Sequence, residues 1–185
     1  RQKLAFTKRF TTLTAAFIAG CETMPAKPKK PVIAEISTDS IKGNLIAYCE
    51  DGDECKLFEV TLKNTTNTTL EIDWNRSYYL KNNQPDGGLY FDGIIIAQRN
   101  NPKSPDIILP NSTFQRKLVP NNSFELIMFP AAHWFVKPFV GEKHGIYLTI
   151  KSGDKQEVIN TSLTLNPPSA QAAPKTPFSR YSFYN

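Results

Sequence analysis

Cys49 and Cys55 flank Glu50-Asp51-Gly52-Asp53-Glu54. Two cysteines this close pair into a disulfide once the chain reaches an oxidising compartment, and the bond pins a tight loop. The carboxylates of Glu50, Asp51, Asp53 and Glu54 could offer oxygen ligands to calcium, yet their spacing matches no standard calcium loop. The stretch reads as a solvated acidic turn, and no metal or cofactor is expected. His133 and His144 are the only histidines. Neither has a second histidine or a cysteine at ligand spacing, so zinc is not expected either. No Gly-x-Ser-x-Gly elbow, His-Glu-x-x-His pair, Walker loop or dinucleotide fingerprint occurs. The expectation is a protein without catalytic residues, with carboxylate-only hydrolysis as the residual enzymatic reading. Aromatic side chains are the better candidates for binding. His133 and Trp134, between Pro130 and Pro138, either line a ligand groove or belong to a loop packed by its own rings, and Trp74, Tyr78 and Tyr79 are the other candidates.

A chain of 185 residues, 40% hydrophobic and 21% charged, has length for one packed domain but not comfortably for two. The formal charge of +5 points to nucleic acid only if the basic residues form a surface. They do not. Arg1, Lys3, Lys8 and Arg9 supply +4 before the first acid, Glu22, which leaves +1 for everything after them. No nucleic-acid partner is expected.

Residues 1–21 run from that basic start through an uncharged stretch, Phe10 to Gly20, to Cys21. As a helix the stretch would reach about 16 Å, half of the roughly 30 Å hydrocarbon core, so it suits a signal-peptide core rather than a membrane span. Ile18-Ala19-Gly20-Cys21 resembles the lipobox of bacterial lipoproteins: an aliphatic residue, two small residues and the cysteine that takes the lipid. The resemblance implies that residues 1–20 are a signal peptide cleaved after Gly20, with diacylglycerol on the Cys21 sulfur and an acyl chain such as palmitate on the new amino terminus. Two or more chains hold a protein on a bilayer stably where one does not. Glu22 after the cysteine, in place of the aspartate that marks inner-membrane retention in that family, implies the outer membrane.

Residues 21–31 then hold Pro25, Pro28 and Pro31 among Lys27, Lys29 and Lys30, an extended tether of roughly 30 Å. From 32 to 165 the signals are those of one all-β domain. Short Val, Ile, Thr, Tyr and Phe runs are separated by Asn, Asp, Gly, Pro and Ser. Strands are expected at 32–37, 44–48, 57–62, 70–74, 78–80, 89–91, 94–98, 106–109, 114–119, 124–129, 146–151 and 157–165. Alternation is cleanest in Leu57–Leu62 and Leu70–Trp74, which the polar turn Asn64–Thr69 makes the best candidate hairpin. The pattern resembles an immunoglobulin-like or transthyretin-like antiparallel β-sandwich, without a Cys-Trp-Cys hallmark. A small Greek-key barrel is the alternative. Residues 166–185 form a Pro/Ala linker and a tail with Phe178, Tyr181, Phe183 and Tyr184, expected either to fold back on the domain or to dock on a partner.

Together these features lead to the expectation of a non-catalytic, membrane-anchored subunit of a cell-envelope protein complex, such as a secretion or conjugation system. Its partners would be the membrane, through the lipid, and other envelope proteins. The alternative is a stand-alone lipoprotein that binds a ligand or glycan through its aromatic residues, and the third reading is an envelope hydrolase.

Overall fold

The computed structural model describes residues 31–50, 54–128 and 131–165. Cys21, the tether before Pro31, the acidic residues Asp51 and Asp53 and the aromatic cluster Phe178, Tyr181, Phe183 and Tyr184 lie outside the described residues. Within them the chain is an antiparallel β-sandwich of two packed sheets with a separate two-stranded ribbon. The strands are β1 (Val32–Ser37), β2 (Ile41–Glu50), β3 (Glu54–Asn64), β4 (Leu70–Lys81), β5 (Gln84–Pro85), β6 (Leu89–Tyr90), β7 (Asp106–Ile108), β8 (Thr113–Pro120), β9 (Phe124–Ile127), β10 (His133–Val136), β11 (Lys143–Ser152) and β12 (Lys155–Thr164). The first sheet has the order β1-β2-β3-β8-β6. The second has the order β12-β11-β4-β5, with β7 also on β4, and β9 pairs only with β10.

The alternation in the sequence is what closes the sandwich. Phe58, Val60 and Leu62 of β3 and Leu45 of β2 turn one face inward against Ile72, Trp74, Ile146, Leu148 and Ile150 of the second sheet, all buried. Each such side chain contributes about 1.5–3 kcal/mol when fully withdrawn from water. Ser40 at the β1–β2 turn bonds the Glu157 carboxylate of β12, joining the two edges on that side.

Three expectations change. Leu57–Leu62 and Leu70–Trp74 do not form a hairpin: β3 pairs with β2 and β8, β4 with β11, β5 and β7. Both apolar faces point at one core because the two strands face each other across it. Asn64 makes the crossing. Its buried amide donates to the Thr68, Ile108 and Leu109 carbonyls at 2.8, 3.2 and 3.1 Å, and its oxygen accepts the Thr66 N–H at 2.9 Å. Leu70–Trp74 and Tyr78–Leu80 are one strand, β4, with a wide bulge, since Asp73 to Tyr78 lies opposite only Thr149 to Tyr147. The Ser77 hydroxyl donates to Asp73 O at 2.7 Å and accepts from Thr149 N at 3.1 Å, satisfying groups the broken ladder frees. Residues 94–98 are no strand: Ile96–Gln98 is a 3₁₀ turn, and Ile94 and Ile96 pack as plugs against the core clusters.

The disulfide is present. Cys49 and Cys55 are register partners at the end of the β2–β3 hairpin, bonded with a Cα separation of 3.9 Å. Phe139 bonds Cys55 through both backbone groups, N–H to carbonyl at 2.8 and 3.1 Å, and stacks on Phe58 with ring centroids 4.6 Å apart.

Candidate binding surface

Residues 121–128 and 131–137 build a ribbon outside the sandwich. After β8 the chain makes a 3₁₀ turn, Asn121–Ser123, held by a reciprocal clamp. Arg99 Nε donates to Asn121 O at 2.9 Å, and buried Asn121 returns its amide to Arg99 O at 2.8 Å. Lys137 N donates to Ser123 O at 2.8 Å and closes the root of β9–β10. The Glu125–Lys137 ion pair at 3.1 Å lies there as well; both partners are half exposed, so it contributes no more than about 1 kcal/mol.

One face of the ribbon has a purpose within the fold. Leu57 and Val119 alternate with the core residues Phe58 and Leu118 and so point out of the first sheet. With Tyr90 they form a second, smaller core that Phe124, Trp134 and Val136 of the ribbon cover. Tyr90 and Phe124 meet edge to face at 4.8 Å, and the Arg99 guanidinium lies 4.9 Å over the Trp134 ring and 5.8 Å over Phe124. Trp134 is therefore a half-buried anchor in a strand, not a residue of the loop expected between Pro130 and Pro138.

Beyond that anchored part the ribbon stays apolar and faces water. Leu126, the register partner of Trp134, is 44% exposed and Met128 is 70% exposed. Ile127 and Phe135 on the opposite face are half-buried. His133, the register partner of Ile127, is exposed, with its ring Nδ1 2.8 Å from Ala131 O. An isolated two-stranded ribbon with apolar side chains on both faces cannot satisfy both of them by folding on one sheet. What it can do chemically is bind another apolar surface.

The other candidates part company. Trp74 is 3% exposed, and its indole N–H donates to Asp106 Oδ2 at 2.9 Å. The second Asp106 oxygen takes Arg116 Nη2 at 2.8 Å, and Phe91 packs against both Trp74 and Arg116, at 4.6 and 4.7 Å. This bridge ties β4 and β7 to β8 and leaves Trp74 no free ring face, which corrects its reading as a ligand contact. Tyr79 is buried as well. Only Tyr78 is open, at 39%, with its ring 6.2 Å from that of Tyr147 on the outer face of the second sheet. Trp74 and Trp134 belong to separate clusters.

His144, which its spacing left without a role, is a buried core residue. Its Nε2 lies 2.7 Å from Gly141 O and its Nδ1 2.5 Å from the Tyr79 hydroxyl, which fits a neutral ring that donates at Nε2 and accepts at Nδ1. Phe139 and Tyr79 flank it, at ring distances of 5.2 and 6.0 Å. Burial, with a smaller push from Lys81, holds its pKa below the usual histidine value and outweighs the opposing Glu142 charge and backbone bonds. Burial likewise raises the Tyr79 phenol. The unfolded chain takes a proton at this histidine as pH falls through about 6.5, whereas the folded chain resists it. Stability is therefore full above pH 6.5 and declines below it, by up to about 1.4 kcal/mol per pH unit until the folded pKa is reached. Urea midpoints between pH 7.5 and 5.5 measure this. A His144 proton resonance that titrates near 6.5 in the folded protein would contradict it.

Among the described residues no three His, Cys, Asp or Glu side chains gather where they could share a metal ion. No family model matches the chain and no curated protein is matched by it, so the reading of the ribbon rests on its own geometry.

Proposed function

We propose that the protein is a lipid-anchored, non-catalytic binding subunit of a cell-envelope assembly, of the kind found in secretion or conjugation machines, and that β9–β10 is where it docks a neighbouring protein. The ribbon carries this reading: between Phe124 and Val136 the sequence holds one carboxylate, Glu125, and no lysine or arginine, and the ribbon presents Leu126 and Met128 to solvent. Apolar side chains held out on a paired backbone present area that a partner can withdraw from water without first ordering the main chain, which favours a protein contact. The lipobox resemblance at Ile18–Cys21 supplies the anchor, and the tether gives the domain its reach. A photoreactive side chain introduced in place of Met128 is expected to give a discrete adduct with one envelope protein in intact cells. The same group in place of Asn111, on the turn before β8, is expected to give none. Equal, diffuse labelling from both positions would contradict the proposal.

One observation favours a second reading, glycan binding: the Tyr78–Tyr147 pair lies beside Asn160, the exposed register partner of Tyr147 on β12. Aromatic faces next to amide groups suit sugar rings. Under that reading Tyr78→Ala abolishes glycan retention and leaves the Met128-position adduct unchanged.

A further inference from the structure

The connections to both undescribed ends leave from the end of the sandwich at which the ribbon is rooted. β1 begins with Val32 opposite Ala47, next to the Cys49–Cys55 bond. β12 ends with Thr164 opposite Lys143, and Leu165 N donates to Glu142 O at 3.0 Å. From Glu142 back to Lys137, at the ribbon's root, is a chain distance of at most about 18 Å. The chain running on from Leu165 to Phe178 can extend about 43 Å. That length is enough for Phe178 to reach the ribbon.

We propose that the segment Phe178–Tyr184 is the intramolecular cover of this ribbon, laid over Leu126 and Met128, and that the docking partner displaces it. The inference rests on the ribbon being the docking surface. Its occupant is named by what the two surfaces lack: the ribbon exposes apolar side chains that the sandwich does not cover, and the tail carries Phe178, Tyr181, Phe183 and Tyr184 within reach. A tethered segment acts at an effective concentration of about millimolar, so even weak ring contacts keep it in place. A partner that binds more strongly still removes it. The cover keeps an apolar ribbon from pairing with the wrong surface before assembly and sets a threshold for the right one.

Two measurements on the full chain test this. In a Met128→Cys, Ser182→Cys protein, mild oxidation is expected to form a disulfide within one chain, seen as a monomer of altered mobility. Bonds only between chains, or two thiols that stay free, would overturn the cover. In the second, Phe178, Tyr181, Phe183 and Tyr184 are replaced by serine and the photoadduct from position 128 is quantified at limiting partner. Its yield is expected to rise by about tenfold, the factor by which a millimolar competitor of roughly 0.1 mM affinity suppresses binding. A fall in yield would show that the tail grips the partner and would overturn the proposal. An internal disulfide with no adduct in either protein would uphold the cover and overturn the docking reading, so the two failures are distinguishable.

Discussion

Cys21→Ser is expected to abolish the mature, membrane-bound form of the protein, leaving the chain as uncleaved precursor or in the soluble pool. The physical reason lies in what else could hold it. The apolar run from Phe10 to Gly20 reaches about 16 Å as a helix, too short to span, and no later run approaches the length a span needs. Under the proposed lipobox reading the anchoring force is the lipid, at about 0.8 kcal/mol for each buried CH₂, and its attachment depends on Cys21. Metabolic labelling with a fatty acid, combined with fractionation, reads the outcome: wild type labelled and in membranes, Cys21→Ser unlabelled and without the processed species. A variant that is processed normally and stays with the membrane would refute the lipobox reading.

Gly43→Ala is expected to destabilise the domain by more than about 3 kcal/mol, enough to unfold many domains of this size. A Cβ at Gly43 would sit 1.8 Å from Thr61 O and 2.9 Å from Thr61 C, both backbone atoms of the neighbouring strand β3, which cannot give way without opening the ladder. Gly145 is the same case in the second sheet, 2.2 Å from Thr161 O. Gly93 supplies the contrast: it needs a positive φ of 95°, but nothing lies within 4 Å of its Cβ, so Gly93→Ala is expected to cost only about 1 kcal/mol of backbone strain. Urea unfolding of the three variants compares close approach with conformational freedom directly. A Gly43→Ala protein within 1 kcal/mol of wild type would contradict the packing described for β2 and β3.

Most strand positions were legible in the sequence because a half-buried strand writes its period of two into the side chains, as in Phe58, Val60 and Leu62. Which strand pairs with which was not. Alternation says that a face is buried, not what buries it, and the Asn64–Thr69 turn has the polar composition of a hairpin loop while carrying the chain across the core. Proximity of Cys49 and Cys55 in sequence sufficed for their bond. Trp74 misled for a specific reason: its partner Asp106 and that residue's second partner Arg116 come from distant strands, and nothing local announces the bridge. A signal for the bridge did exist in β8, where Arg116 stands at an inward position between Phe114 and Leu118. The ribbon was half legible. Its apolar run suggested a strand at 124–129, but only the three-dimensional arrangement shows that β9–β10 joins neither large sheet and leaves Leu126 and Met128 in water.

The docking reading makes one assembly and one surface jointly responsible for the protein's role. Extraction of the full-length protein from native membranes in mild detergent, followed by particle sizing and mass spectrometry, tests that most directly when wild type is run beside Leu126→Ser, Met128→Ser. The sandwich covers neither side chain, so the double variant is expected to keep the fold, seen as an unchanged far-ultraviolet circular dichroism spectrum. Wild type is expected in a large particle with a fixed set of partners, and the double variant as a single lipidated chain. A wild-type protein that emerges alone, or a double variant that stays in the same particle, would contradict the account.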